Sequence, residues 1–87
     1  MEYNKCQKDI IYYVLDYYTS SEGKLTPCIE VFEEIFSEKY SLLEIEENTR
    51  ALVSSGILTS YSFHSYLELT ETFITSVDYK LFRNKKI

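Results

Sequence analysis

The sequence predicts one small, mostly helical α+β domain with a three-helix core, a two-stranded β-hairpin and a C-terminal helix. Three observations predict it. Ser41 places a hydroxyl acceptor three residues before Glu44, which is the capping-box signature of a helix start. Gly56 stands where that helix should end, since glycine is favoured just beyond a helix C-terminus. Two short β-like runs follow, and the second ends at Thr70.

Composition supports a single domain over residues 1–87. The chain contains only 2 Gly and 1 Pro, so long flexible linkers are not expected. The hydrophobic share of 45% and the charged share of 26% are typical of a globular chain. Nine residues are Tyr, which offers a ring to bury and a hydroxyl that can remain hydrated. The tyrosines therefore indicate either a core with an aromatic rim or a protein interface.

The first helix is expected from about Asn4 to Thr19. Its apolar side chains cover an arc of roughly 200°, whereas a surface helix needs a stripe a little over ~100° wide. Helix 1 should therefore be covered on two sides, by the C-terminal helix or by another subunit. A symmetric homodimer is expected, since two-fold dimers are the commonest oligomers. The candidate interface residues are Tyr12, Tyr13, Tyr17 and Phe82.

Helices 2 and 3 follow a polar turn and a short strand expected at residues 24–26. Thr26 can cap helix 2, with Pro27 at its first position, where a missing N–H costs nothing. Helix 3 is expected from about Leu42 to Ser55. The expected inner positions are Ile29, Phe32, Ile35 and Phe36 in helix 2, and Leu42, Ile45, Thr49, Leu52 and Val53 in helix 3.

The hairpin is expected to turn near Phe63 to Ser65, and Thr70 should cap helix 4. The inner stripe of helix 4 is expected to be Phe73, Ile74, Val77 and Leu81. Residues 83–87 should fray, as chain ends without packing partners do.

The charge is distributed unevenly. Residues 79–87 carry four bases and no acid, while the rest of the chain has all 14 acids and five of the nine bases. An acidic face is predicted at Glu30, Glu33, Glu34, Glu44 and Glu47. A nucleic-acid-binding domain normally presents the opposite charge to phosphate.

The order of elements, with the joins after helix 3 and after the hairpin, resembles winged helix-turn-helix regulators of the PadR and MarR type. The run from Leu52 to Leu58 resembles the join between recognition helix and wing, and the run from Leu67 to Glu71 resembles the end of the wing. The residue pattern alone leaves open a different small α+β domain with three helices and a hairpin.

The resemblance implies that helix 3 enters the major groove and that the wing touches phosphate or the minor groove. It would place Leu43, Glu44, Glu47, Asn48, Arg50, Ala51 and Ser54 at the groove. The candidate DNA-facing residues are Asn48, Arg50, Ser54, Lys80, Arg83, Lys85 and Lys86. Asn and Arg can read adenine and guanine edges, but the acids would face a polyanion and the expected wing has no Lys or Arg.

No catalytic, metal or cofactor site is expected. His64 is the only histidine and lies in the expected hairpin turn, and no glycine-rich phosphate loop occurs. Cys6 and Cys28 are expected to be reduced thiols, with a disulfide between them as the alternative. The chain shows neither an apolar run of ~18 residues nor a signal-peptide layout, so a cytoplasmic protein without a membrane partner is expected.

Three functions remain open for a non-enzymatic domain of this kind. The first is a module that binds protein, either a second copy or a regulator that it antagonises. The second is a PadR- or MarR-like transcriptional regulator that binds an operator as a dimer. The third is a structural component with no nucleic-acid role. The acidic helix 3 favours the first of these, whereas Asn48, Arg50 and the basic C-terminal residues favour the second.

Overall fold

The computed structural model describes residues 2–20, 29–61 and 66–87. Within those ranges the chain forms five helices and one antiparallel hairpin, so the mostly helical α+β class is confirmed. The elements are α1 (Lys5–Ser20), α2 (Ile29–Phe36), α3 (Leu42–Ser54), β1 (Leu58–Tyr61), β2 (Tyr66–Leu69), α4 (Glu71–Ile74) and α5 (Val77–Arg83). The strand expected at 24–26, the Thr26 cap, Cys28 and His64 lie outside the described residues.

Helix α1 is the centre of the core. It buries one stripe of side chains, which consists of Cys6, Ile10, Ile11, Val14 and Leu15. Helix α3 and strand β2 cover part of this helix, and Phe82 of α5 packs its ring 5.2 Å from that of Tyr3 and 5.0 Å from that of Tyr12. The second cover expected for helix 1 therefore includes α5 of the same chain.

Both ends of α3 are closed by backbone and side-chain hydrogen bonds. The Ser41 hydroxyl accepts from the Glu44 N–H while the Glu44 carboxylate accepts from the Ser41 N–H, so the predicted capping box is present. At the other end the N–H groups of Gly56 and Ile57 donate to the carbonyls of Val53 and Leu52. This pair of bonds is a Schellman motif, with Gly56 in the left-handed region at φ 81°.

Substituting Gly56 with Ala should lower the free energy of unfolding by about 1 kcal/mol, because a side chain disfavours a left-handed backbone. A Cβ at this position would meet no atom within 4 Å, so the loss should be purely conformational. Chemical denaturation would measure it, with Ser54→Ala as the exposed helical control. A loss much above this size would mean that residue 56 is packed more tightly than the structure shows.

The hairpin presents one apolar face to the core. Leu58 pairs with Leu69, and Ser60 pairs with Leu67. Because alternate residues of a strand share a face, the three leucines point to the same side, and all three are buried. Glu68 lies on the other side of β2.

The C-terminal region corrects the expectation of one continuous helix 4. Two short helices occur, since Ser76 interrupts the chain and its hydroxyl accepts from the Tyr79 N–H to start α5. Beyond α5, Lys85 adopts φ 54° and Lys86 donates to the Leu81 carbonyl, forming a second Schellman motif. The Tyr12 hydroxyl donates to the Ile87 carbonyl at 2.7 Å, which places residue 87 against α1. The expected fraying of residues 83–87 stays a prediction.

Three expected core positions are exposed. Leu42 is 57% exposed because Cα–Cβ bonds tilt toward the helix N-terminus, so a first-turn side chain projects past the start of α3. Val77 is 71% exposed for the same reason, since the new start at Ser76 places it in the first turn of α5. Ile35 is 51% exposed because its neighbour Phe36 takes the inward position on α2 and packs against Tyr13.

Candidate functional site

The α3 outer face consists of Leu43, Glu46, Glu47, Arg50 and Ser54. These residues recur at intervals of three and four, which places them on one side of a helix. All five are exposed, and Leu43 is 63% exposed. The opposite side of α3 buries Ile45, Thr49 and Leu52. Two carboxylates, those of Glu46 and Glu47, therefore adjoin an exposed leucine at the start of α3, and the guanidinium of Arg50 lies one turn further along.

Asn48 is held away from this face. Its side-chain oxygen accepts from the Asn4 side-chain amide at 2.8 Å, and its own amide donates to the Glu44 carbonyl at 2.8 Å. The first of these bonds joins the residue before α1 to the middle of α3. Of the DNA-facing candidates in helix 3, the structure brings Arg50 and Ser54 together and places Asn48 at the contact between helices.

The C-terminal basic surface consists of Lys80, Arg83, Lys85 and Lys86. All four side chains are exposed, and the Schellman motif fixes the backbone that carries them. Arg83 leans over the Tyr79 ring, with its guanidinium carbon 5.9 Å from the ring centroid. The structure therefore places the basic residues predicted from the sequence in the second half of α5 and just beyond its end.

The interface candidates on α1 differ in exposure. Tyr17 is 42% exposed, while Tyr12 and Tyr13 are half-buried by contacts within the chain. Phe82 is fully buried between Tyr3, Tyr12 and Phe73, so its assignment to a protein interface is wrong. The expected inner stripe of helix 4 does not include Phe82, whereas the new helix start at Ser76 gives an α5 that buries Tyr79 and Phe82.

The acidic face is only partly a single surface. Glu34, Glu44 and Glu47 are exposed and Glu33 is half-buried, while the side chain of Glu30 lies outside the described part of the chain. Because Glu44 is engaged in the capping box, Glu46 and Glu47 supply the negative charge on the outward side of α3.

Two tyrosine–carboxylate pairs tie α1 to distant segments. The Tyr40 hydroxyl donates to Asp9 at 2.7 Å, and the Tyr3 hydroxyl donates to Asp78 at 2.6 Å. Burial, the hydrogen bond and the negative charge of Asp9 raise the pKa of Tyr40 to about 12. Burial and Asp78 raise the pKa of Tyr3 as well.

These pKa values predict a loss of stability at alkaline pH. The Tyr40 hydrogen bond contributes fully to the free energy of unfolding below pH 10, which is the ordinary pKa of tyrosine. This contribution should disappear as the pH rises to about 12, the pKa of Tyr40 in the folded protein. Denaturant titrations from pH 9 to pH 12 would measure the fall in unfolding free energy. Tyr40→Phe lacks the ionising group, so its stability should fall less across this range. An equal fall in both proteins would contradict the assignment to Tyr40.

The remaining chemistry of the described residues is limited. Cys6 is a free, buried thiol, and burial together with the charges of Glu44 and Asp9 raises its pKa, which disfavours the reactive thiolate. Across residues 2–20, 29–61 and 66–87, His, Cys, Asp and Glu do not gather in groups of three or more that could hold a metal. None of the helices in the described ranges has the length and apolar character needed to cross a bilayer.

Comparison with protein-family models, with curated proteins and with solved structures finds no match for this chain. The surfaces of the molecule are the basis for proposing a function, because function depends on particular sites rather than on the fold.

Proposed function

We propose that this chain is a non-enzymatic winged-helix binding module that acts through protein contacts on its α3 outer face. The observation that carries the proposal is the 63% exposure of Leu43 beside Glu46 and Glu47. An exposed aliphatic side chain within a polar surround suits a protein interface, whose centre is apolar and whose rim is polar.

The order of elements supports the winged-helix interpretation. Helices α1, α2 and α3 precede an antiparallel hairpin, and two further helices follow it. In this arrangement α3 corresponds to the recognition helix and the hairpin corresponds to the wing. The α3 outer face is then the surface that a DNA-binding relative would present to the major groove.

Electrostatics favour a protein over DNA as the partner of this surface. Non-specific DNA affinity arises mainly from the neutralisation of phosphates by Lys and Arg. On the α3 outer face, Arg50 is outnumbered by Glu46 and Glu47. The only charged side chain in β1 and β2 is that of Glu68, which is also acidic. A partner with a basic surface would be attracted where a phosphate backbone would be repelled.

The alternative is a PadR- or MarR-like transcriptional regulator. Arg50 and Ser54 on the α3 outer face could contact base edges, and the C-terminal basic surface could contact phosphates. This alternative requires the basic residues to compensate for the acids of α3.

Fluorescence anisotropy with random duplex DNA, at several salt concentrations, tests the choice between partners. We expect undetectable binding by the wild-type protein at physiological salt. If the α3 outer face nevertheless approaches DNA, Glu46→Gln with Glu47→Gln should strengthen binding. Tight, salt-sensitive binding by the wild-type protein would favour the regulator and contradict the proposal.

A photo-crosslinking amino acid at position 43 tests the protein contact directly. We expect discrete protein adducts in producing cells from position 43, and few from position 72, an exposed site on α4. The additional substitutions Glu46→Lys and Glu47→Lys should abolish the adducts. Adducts with nucleic acid, or equal yields from the two positions, would argue against a protein-docking role for α3.

A further inference from the structure

Helices α3 and α5 present the same surface pattern with opposite charge. On α3, the exposed Leu43 precedes Glu46 and Glu47 by three and four residues. On α5, Val77 is 71% exposed and precedes the exposed Lys80 by three residues. Residues three and four apart are neighbours on a helix surface, so each helix carries an aliphatic side chain beside charges of one sign.

From this complementarity we propose that the α3 outer face of one copy docks on the α5 outer face of a second copy. The α5 outer face is Val77 and Lys80, continued by the C-terminal basic surface. The proposal rests on the proposed function, since it names the occupant of the α3 outer face. In the contact, Leu43 would meet Val77, and Glu46 and Glu47 would face Lys80 and its basic neighbours.

Asp78, the acid within α5 itself, does not oppose this contact, although Asp16 of α1 lines a cleft with Arg83 and Lys85. Asp78 is half-buried and accepts the Tyr3 hydroxyl, so its carboxylate is held toward the start of α1. Residues 79–87 contain no acid, whereas the rest of the chain carries a net charge of −9. On α3 only Arg50 has the unfavourable sign, and it lies one turn beyond Glu46. Acids therefore outnumber the base on the α3 outer face, and bases predominate on the α5 outer face.

The geometry of such a contact determines how the assembly grows. The two faces belong to different helices, so the contact is heterologous and each bound copy leaves one face of each kind open. Association should therefore continue beyond dimers as concentration rises, unless the rotation closes a ring. Because exposed charges contribute to it, the association should weaken as salt screens them.

Sedimentation velocity of the purified chain at low and high salt tests the proposal. We expect the wild-type protein to associate with increasing concentration at low salt, and at least tenfold more weakly at high salt. Glu46→Lys with Glu47→Lys, and separately Lys80→Glu with Lys85→Glu and Lys86→Glu, should each give a monomer. The control Glu34→Lys with Glu68→Lys makes the same charge change as the first pair on α2 and β2, and should still associate.

Mixing the two charge-reversed proteins provides the decisive measurement. The first has two basic faces. The second keeps the acidic α3 outer face, and its C-terminal surface has three acids and Arg83 as the remaining base, so each protein repels itself but both contacts between them are favourable. We expect association only in the mixture. Circular dichroism and thermal melts would establish that each variant is folded. The double variant Leu43→Ser with Val77→Ser changes no charge and should also weaken self-association.

Three results would overturn the proposal: a wild-type monomer at millimolar concentration in low salt, equal weakening by the control pair, or no association in the mixture. These results are distinct from failure of the proposed function. If protein adducts form from position 43 while the purified chain remains monomeric, the α3 outer face binds a different protein. If the adducts contain nucleic acid, the proposed function fails as well.

Discussion

Replacing Phe82 with Ala is expected to lower the free energy of unfolding by about 3–5 kcal/mol, the usual range for a buried phenylalanine. The Phe82 ring is fully buried and packs against the rings of Tyr3, Tyr12 and Phe73, whose centroids lie 5.0–6.0 Å away. The total free energy of unfolding of a domain is about 5–15 kcal/mol, so this substitution should remove a large fraction of it.

Thermal and urea denaturation would measure the loss due to Phe82→Ala. Leu42→Ala is the matched control, because this side chain is 57% exposed and its truncation should change stability by no more than about 0.5 kcal/mol. Both measurements belong at low protein concentration, so that self-association does not contribute. Equal, small effects at the two positions would contradict the placement of Phe82 in the core.

Replacing Thr70 with Val should lower the free energy of unfolding by about 1–2 kcal/mol, within the range measured for lost N-caps. The Thr70 hydroxyl accepts from the Phe73 N–H at the start of α4 and donates to the Gly56 carbonyl. The Thr70 N–H also donates to the Ile57 carbonyl. One residue therefore joins the end of α3 to the beginning of α4, and valine keeps the shape while removing the hydroxyl.

The expected change corresponds to a decrease of roughly 4–8 °C in melting temperature for each kcal/mol. Thr70→Ser retains the hydroxyl and should recover most of the stability that valine loses. If serine and valine reduce stability equally, the methyl group rather than the hydrogen bonds determines the contribution of this residue.

Local signals predicted much of the fold. The Ser41–Glu44 capping box, the Gly56 stop and the Thr70 cap are all present, because each depends on hydrogen bonds between residues close in sequence or on the conformational freedom of one residue. The Ser76 cap was missed, although Ser76 followed by Asp78 is a recognisable helix start. A cap at Ser76 divides the expected helix 4 into two helices and places Val77 at the surface.

Tertiary contacts account for most of the remaining differences. The placement of residues 83–87 depends on Tyr12, whose hydroxyl contacts the Ile87 carbonyl 75 positions later. It also depends on the left-handed backbone of Lys85, which the sequence does not signal because the residue is not a glycine. Hydrophobic periodicity cannot locate such a contact, and it also left the second cover of helix 1 undecided.

The candidate site was predicted in part. The charges of Glu46 and Glu47 and the exposure of Arg50 and Ser54 follow from helical spacing. The position of Asn48 does not, because its hydrogen bond with Asn4 joins residues 44 positions apart. The resemblance placed Asn48 at a DNA groove, whereas this contact directs it to α1. The resemblance assigns Leu43 to the groove face, and the structure places it, 63% exposed, at the N-terminal end of the α3 outer face.

The contacts between α1 and the C-terminal region also affect how the chain folds during synthesis. Tyr3 with Asp78 and Tyr12 with Ile87 connect residues separated by 75 positions. Contacts of high sequence separation slow folding, because a long loop must close before they form. A growing chain that has reached only residue 78 still lacks Phe82, so part of α1 remains uncovered on the ribosome. Completion of this domain therefore requires that residues 79–87 have emerged from the ribosome, and until then the exposed aromatic surface of α1 is a target for chaperones.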